Sequence, residues 1–561
     1  MPFLNDHFSS LLGIYRTAAL GHPNELSKDL WGEVPSSFRK LKTMIEHQQQ
    51  TTNFTVFSEN VEALRRLATD KHRKMGTLTE RVKEAIERLD QGFLDLGHQP
   101  LLFGGPLFLI NKVSLAEWLG NLLRIGTFFF IGDHDSIQNE LTIARFPQVN
   151  SPTGLIITPS SWGVPEGTPM HQVPVPEEEW LLEIKLKIQE NLRLLMKIAK
   201  VRLEYRKLFL ERFFSWFDLI YDNAITASNF SSWTQRIWSQ LFNIRNDLRL
   251  FLCPLSDPRY RQLILPAFEF LLSENNRSCY VDSLNKIYDQ LISQNIHPGL
   301  PYREEDYVPF FLECLECTNK TRVQLHVSSP GVLEGECPIC LKKFSFSYNS
   351  SHPDLSEIGS HITPRSDSRA VVNNFTFPLL THIGGSGETK YYSAVIPAMK
   401  RLKIPPPILI RSNRIYYNSP WAERSAESIN TPILDNKVYS NFKEFNIGKE
   451  IHDVQTTLEK MRTLIQSKYE EGITNLNTQQ EELKNNPQDH RLRSEIRKTE
   501  LMLSHNFGRF TPGKKAQEVS WNWLDLAILT GIHSICDIFQ RQLKEEAFPG
   551  YTWYITAGKF T

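Results

Sequence analysis

Apolar residues recur every three or four positions through much of the first 91 residues, as in VEALRRLATDKHRKMGTLTERVKEAIERLD, and charges fill the other faces. That period predicts helices joined by short loops. At residues 92–97 the pattern changes to the extended GFLDLG. GHQPLLFGGPLFLINKVSLAEWLGNLL then reads as a glycine-rich turn running into a helix. TFFFIGDHD follows, opening on a short, wholly apolar run that suits a buried strand. Strand, turn, helix and strand make a βαβ unit. The same grammar returns at 370–412: AVVNNFTFPLLTHIGG reads as extended, SGETKYYSAVIPAMKRLKI as a helix weakened by Pro397, and PPPILIRS as a strand. The two sets are expected to join in one parallel α/β sheet interrupted by a long insertion.

The remaining pattern divides the chain further. An N-terminal helical region (1–91) precedes the first half of the sheet (92–150). The insertion (151–308) opens on a Pro/Gly-rich loop and continues as one long helix, WLLEIKLKIQENLRLLMKIAKVRLEYRKLFLERFFSWFDLI, with more helices after it. A cysteine-bearing ribbon (309–345) follows, then the second half of the sheet (346–448), whose first residues, 346–369, look polar and loop-like. In 449–507, Ile451, Val454, Leu458, Met461 and Ile465 form a coiled-coil seam that slips through Tyr469 and Ile473 before Leu476 and Leu483. NNPQDH turns the chain, and Leu492, Ile496, Thr499 and Leu503 return it. This antiparallel arm is expected to make a homodimer, with packing on its own protein as the alternative. Residues 508–561 read as a C-terminal helical region, 521–539 as a buried helix.

Composition narrows the classes. The chain has 561 residues and is 40% apolar, enough for sizeable cores. Lys+Arg and Asp+Glu are both 63, so the net charge is zero and argues against nucleic acid as a partner. No run approaches the length of a membrane helix, and no secretory signal pattern opens the chain. A cytoplasmic protein is expected.

Four of the seven cysteines form Cys314-x-x-Cys317 and Cys337-x-x-Cys340. Two such turns aim four thiolates at one centre, the tetrahedral set that Zn²⁺ accepts. Four thiolates fill the coordination shell, so the metal is read as structural.

Three turns lie where parallel strands would end, the place where open α/β sheets bind ligands. The first holds Gly97, His98 and Gln99, then Gly104, Gly105 and Pro106, with Lys112 two turns into the next helix. Its amides could hold an anion, or it is simply a tight turn. The second is Gly132-Asp133-His134-Asp135. Two carboxylates around an imidazole can bind a metal or tune a base, but they converge only if the chain turns; a helix-capping Asp135 is the alternative. The third is Gly384-Gly385-Ser386-Gly387-Glu388, an anion loop or a capped helix start, with Arg411 ending the next strand where it could clamp a carboxylate. No Walker A loop is present, so ATP is an open question with no motif behind it.

Together these blocks resemble the bacillithiol-synthesis cysteine ligase family. The family's GQQxGLxxGPLYxxxK corresponds to GHQPLLFGGPLFLINK at 97–112. Its hydrophobic strand and EDHD correspond to FFFIGDHD at 128–135. Its RPxxQDxxLP…GGPGExxYxxQL…PPxxPR corresponds to RAVVNNFTFPLLTHIGGSGETKYYSAVIPAMKRLKIPPPILIR at 369–411. The resemblance implies a Rossmann-like core with helical insertions and a coiled-coil dimerisation arm. It also implies a ligase that adds L-cysteine to glucosaminyl-malate, or a related amino-sugar conjugate, in making a low-molecular-weight thiol. Gln99, Gly105, Lys112, Asp133, His134, Asp135, Gly385, Glu388 and Arg411 would then surround the pocket, Asp133, His134, Asp135 and Glu388 as its catalytic set. The chain departs from the family at His98 and Gly132, where Gln and Glu are usual, at Asn373 and Asn374, and in having a zinc ribbon. Two other readings follow: an amide-forming ligase with another substrate, and a non-catalytic zinc-ribbon binding or assembly protein.

Overall fold

Asp95 and His382 are 287 residues apart in the chain and face each other across one pair of parallel strands. The computed structural model describes residues 10–148, 151–159, 163–418, 474–496 and 517–556. Strand β1 (Phe93–His98) leads through helix α1 (Phe108–Leu123) to β2 (Gly126–Ile131). Strand β11 (Leu379–Gly384) leads through helix α3 (Ser386–Arg401) to β12 (Ile408–Arg411). With β5 (Phe251–Pro254) the two units join in a five-stranded sheet of order β12–β11–β1–β2–β5, every neighbouring pair parallel. β2 is buried along its whole length, as a strand covered on both faces must be. α1 packs on the helices Phe38–Thr51 and Ile535–Gln540, and α3 on Glu25–Trp31 and Glu274–Ser293. Helices thus flank the sheet in a Rossmann-like arrangement.

Several elements differ from the sequence expectations. The stretch 370–385 is not extended throughout: Ser366–Thr376 is helix α2, and only Leu379–Gly384 is strand. Pro378 is the cause, because it drives Phe377 into extended backbone (φ −134°, ψ 153°) and ends the helix one residue earlier. The single long helix is two, Glu178–Ile198 and Leu203–Ala224. Lys200 takes a left-handed conformation (φ 52°), and the Val201 amide closes back on the Met196 carbonyl. The insertion also supplies β5 (Phe251–Pro254), the edge strand of the core sheet; four residues are too few to show a period. Its Pro/Gly-rich opening carries β4 (Ser151–Ile157), which pairs antiparallel with β3 (Ala144–Gln148) from the end of the preceding segment.

The ribbon is a five-stranded antiparallel sheet, with β6 (Tyr307–Glu313), β7 (Arg322–Ser329), β8 (Val332–Glu336) and β9 (Lys343–Ser347). Its fifth strand, β10 (Ile362–Pro364), pairs with β6 and comes from the stretch expected to be loop. The buried 521–539 helix is interrupted at Gly531 (φ 84°) into Leu524–Thr530 and Ile535–Gln540. The C-terminal region also contributes β14 (Thr552–Thr556), parallel to β13 (Arg414–Asn418). Of the expected coiled-coil arm only 474–496 is described. It is helical at 474–485 and 490–496, with Asp489 accepting from the Arg491 and Leu492 amides at the turn. The other seam positions, including Ile451 to Ile473 and Thr499 to Leu503, lie outside the described residues. Among the described residues no helix is long and apolar enough to cross a membrane.

One packing contact bears directly on the sheet edge. Gly97 pairs with Phe130, whose ring lies over it; a Cβ at Gly97 would stand 2.2 Å from Phe130 Cε2. The same ring carries the Arg369 guanidinium on one face, 4.4 Å from the centroid. Gly97→Ala is expected to destabilise the protein by about 1–3 kcal/mol through overpacking, read as a lower urea midpoint. An unchanged midpoint would show that Phe130 can move aside.

Candidate functional site

The chain leaves β1 toward β2 and leaves β11 toward β12, so the strand order reverses between β1 and β11. A crevice at the carboxyl ends of such a pair is where this sheet type binds ligands. Those strand ends carry a buried chain of charge in this fold. His382 Nδ1 lies 2.6 Å from Asp95 Oδ1, and its Nε2 lies 3.1 Å from Glu388 Oε1. Lys112, on α1, donates to Glu388 Oε2 at 2.9 Å and to the Gly97 carbonyl at 3.2 Å. Arg369, on α2, stands 3.6 Å from Glu388 Oε1 and donates to the Tyr391 hydroxyl at 2.5 Å. The Gly385 amide donates to Glu388 Oε2 at 2.7 Å.

The helix-capping role of Glu388 is therefore real. A cap, however, needs only the amide bond, and Glu388 also gathers two cations and an imidazole. Lys112 and His382 are buried, while the Glu388 side chain keeps 17% of its exposure and can be reached. Burial alone would raise the Glu388 pKa; Lys112, His382 and Arg369 outweigh it and hold the carboxyl well below its usual range. Burial would lower the His382 pKa, and Asp95 and Glu388 reverse this to a net rise.

A second group adjoins the end of β2. The chain turns at 132–135, with the Asp133 amide bonded to the Ile131 carbonyl and the Asp135 amide to Gly132, and the Asp133 side chain parts from those of His134 and Asp135. Asp135 Oδ2 accepts from Gln99 Nε2 at 3.0 Å, and its Oδ1 from Arg322 Nη1 at 3.1 Å. Burial would raise the Asp135 pKa, but His134, Arg322 and Arg369 bring it below the usual value. His134 Nε2 is 3.7 Å from Asp135 Oδ1, and burial takes its pKa down to about 4, so the ring is neutral at pH 7. His98 is neutral for the same reason, its pKa also near 4, with Nδ1 against the Gln99 carbonyl.

Three expected site residues are placed differently. Asp133 is 1% exposed, and its carboxylate accepts from the Ser231 hydroxyl, the Ser256 hydroxyl and the Ser256 amide at 2.6–2.9 Å. It ties the end of β2 to the helix Phe230–Ser239 and the turn after β5, and does not meet the Glu388 group. Gly105 (φ 86°) shapes a turn whose Leu102, Gly104 and Gly105 amides all bond to carbonyls within the protein; its own carbonyl accepts from Asn522. The glycine-rich turn thus seats the C-terminal segment and offers no open anion cradle at those amides. Arg411 stands opposite Gly384 at the same sheet edge, but its guanidinium donates to Ser386 Oγ at 3.2 Å, beside Arg414, and not to Glu388. Burial and the neighbouring Arg414 bring its pKa down to about 10.

The structure thus brings together His98, Gln99, Lys112, Asp135, Gly385 and Glu388. It adds Asp95, Arg322, Arg369, His382 and Tyr391, which sequence reasoning missed. A signal existed for two of them: Asp95 and His382 are the charged or ionisable residues inside otherwise apolar strands, FLDLG and LLTHIG.

The four ribbon cysteines form the second centre. Their sulfur atoms all lie within 4.8 Å of one another, with Cys314 Sγ to Cys340 Sγ at 3.7 Å and Cys317 Sγ to Cys337 Sγ at 3.6 Å. A tetrahedron with Zn–S bonds of ~2.3 Å has edges of about 3.8 Å, so the set fits zinc. Each knuckle is closed by a residue in left-handed backbone, Lys320 (φ 51°) and Leu341 (φ 58°), bonded to the carbonyls of Cys317 and Cys337. Bound zinc would cross-link the two knuckles, and four thiolates leave no position for a substrate. No protein-family model matches the chain, and no curated protein matches it.

Proposed function

We propose that the crevice between β1 and β11 is the active site of an amide-forming ligase that adds L-cysteine to glucosaminyl-malate or a related amino-sugar conjugate. The observation that carries this reading is the meeting of Lys112, Glu388, His382 and Arg369 at the carboxyl ends of β1 and β11. Lys112 lies in the 97–112 block of the resemblance, and the other three lie in the 369–411 block. Amide formation needs an amine, an activated carboxyl group and a proton acceptor. Arg369 suits a substrate carboxylate through its fork of donors. Glu388, reachable and charged, suits orienting the attacking amine by accepting its hydrogen bond, with His382 and Asp95 behind it. Asp135, with Gln99, suits holding the ammonium form before it reacts. Arg411, at Ser386 and the start of α3, suits a second anionic group such as the malate moiety.

The test mixes purified protein with L-cysteine and glucosaminyl-malate, with and without ATP, and follows the conjugate by mass spectrometry. Conjugate is expected with ATP, whose transferred phosphoryl or nucleotidyl group would leave with the carboxyl oxygen as the amide forms, and Glu388→Gln is expected to slow its formation by about 10²-fold or more. No conjugate under either condition, or a Glu388→Gln rate equal to wild type, would end this reading.

Exposed apolar side chains at the knuckle tips favour a second reading, a binding or assembly protein. Leu315, Ile339 and Leu341 are 36%, 45% and 67% exposed around the four cysteines. Under that reading the buried charge network is a structural device and no substrate turns over.

A further inference from the structure

The residue that follows the first knuckle reaches Asp135 beyond the end of β2. Cys314 and Cys317 form the knuckle, Lys320 reverses the chain, and the Cys314 amide donates to the Thr321 carbonyl at 2.8 Å. Arg322 is the next residue and the first of β7. Its amide donates to the Gly167 carbonyl, its guanidinium lies over the Phe311 ring at 4.0 Å, and its Nη1 reaches Asp135 across 187 residues of sequence. Asn319, inside the same turn, donates to Thr168 Oγ1 at 2.9 Å. Opposite Arg322 in the register, Glu313 accepts both Nη atoms of Arg261 at 2.8 and 2.5 Å. Both strand ends that carry the knuckle are therefore anchored, one to the core helix Pro258–Leu272 and one to the sheet edge. The Arg322 and Asp135 side chains keep 14% and 20% of their exposure, so the pair can be reached from solvent.

We propose that Arg322 is a positioning residue of this site, and that metal held by Cys314, Cys317, Cys337 and Cys340 sets its place against Asp135. The ribbon is then a working part of the site: metal loading determines whether Asp135 is held by Arg322 and Gln99 together or by Gln99 alone. The physical reason is the short tether. Arg322 follows Cys317 by five residues, and the turn between them has its shape fixed from one side by the thiolates. Without metal, the turn loses that restraint, and a long side chain anchored through it loses its register. The catalytic consequence rests on the ligase reading; the coupling itself does not.

The test uses the full chain, loaded with zinc and then stripped with a chelator, and follows hydrogen exchange in the peptide 132–138. Its Asp133, Asp135 and Ile137 amides donate to the Ile131, Gly132 and Thr168 carbonyls and report the turn directly. Stripping is expected to speed exchange there about tenfold. Zinc-loaded Arg322→Gln is expected to show the same rise while peptides of 307–347 stay protected. Arg322→Lys should restore part of the protection, and Lys343→Gln, on the exposed ribbon surface, should change nothing. Equal exchange at 132–138 in all these samples would overturn the proposal, as would an Arg322→Gln protein whose ribbon itself loosens. Failure to load about one zinc per chain would overturn it too. Where conjugate formation is measurable, Arg322→Gln should raise KM about tenfold with kcat nearly unchanged. If no conjugate forms, the ligase reading fails, and the exchange result still decides the coupling.

Discussion

Cys337→Ser is expected to reduce bound zinc from about one per chain to almost none and to open the ribbon. Cys337 is fully buried, and its amide and carbonyl are both used to close the second knuckle, with Lys342 and Leu341. A serine oxygen is a poor replacement for a thiolate, and three remaining sulfurs do not complete the tetrahedron. In isolated zinc-finger peptides the metal contributes roughly 10–16 kcal/mol of apparent binding energy, and that energy is folding energy. Here part of the ribbon is held independently. Arg261–Glu313 and the aromatic side chains of β6 tie it to the core, so the loss should be local before it is global. The measurement is metal content by mass spectrometry, with limited proteolysis of 314–342. Full zinc content and unchanged resistance in Cys337→Ser would show that the four sulfurs do not act as a metal centre.

Lys112→Met should have the largest effect in the sheet core, a loss of about 3–5 kcal/mol in urea unfolding at pH 7. The ammonium is 2% exposed and neutralises a carboxylate that burial disfavours. Removing it leaves Glu388 charged in a low-dielectric crevice with His382 and the more distant Arg369. Adding Glu388→Gln should return part of the loss, because the neutral amide needs no counter-charge. A double variant no more stable than Lys112→Met would show that Lys112 acts through packing alone.

Stability depends on pH through both buried groups. Glu388 has a folded pKa far below its ordinary 4.5, so its contribution is present above that value and disappears as pH falls through the folded pKa. His382 has a folded pKa above its ordinary 6.5, so its contribution is complete below 6.5 and disappears as pH rises through the folded value. Wild type should therefore lose stability on both sides. Lys112→Met should flatten the acid limb, and Asp95→Asn the alkaline one.

How much of this was legible varied with the distance over which each feature is decided. The βαβ unit from Phe93 to Ile131 was readable because period, glycine turn and apolar run are all local. The join of β1 to β11 was readable as well, since two half-sheets with the same grammar leave few other ways to bury both faces. The helix Ser366–Thr376 was not: Val371 and Val372 look like strand, and the stop at Phe377 depends on the conformational restriction imposed by Pro378. Strand β5 was too short to carry a period.

The candidate site shows the same division more sharply. Glu388, Gln99 and Asp135 sit at turns that the pattern marked, Lys112 on the helix that one of them opens, and they do converge. Asp133, two residues from Asp135, carries the same chemistry and does not, because serines 98 and 123 residues away claim its carboxylate.

By itself, then, the order of residues determined the Cys-x-x-Cys pairs, the strand–turn–helix units and the positions where the chain could present charge, since each is set by neighbours within a few residues. Only the tertiary structure decided which charges meet. His382 finds Asp95, Lys112 finds Glu388, and Arg322 leaves the ribbon to hold Asp135, because electrostatic pairing and burial act through space between segments that no local spacing connects.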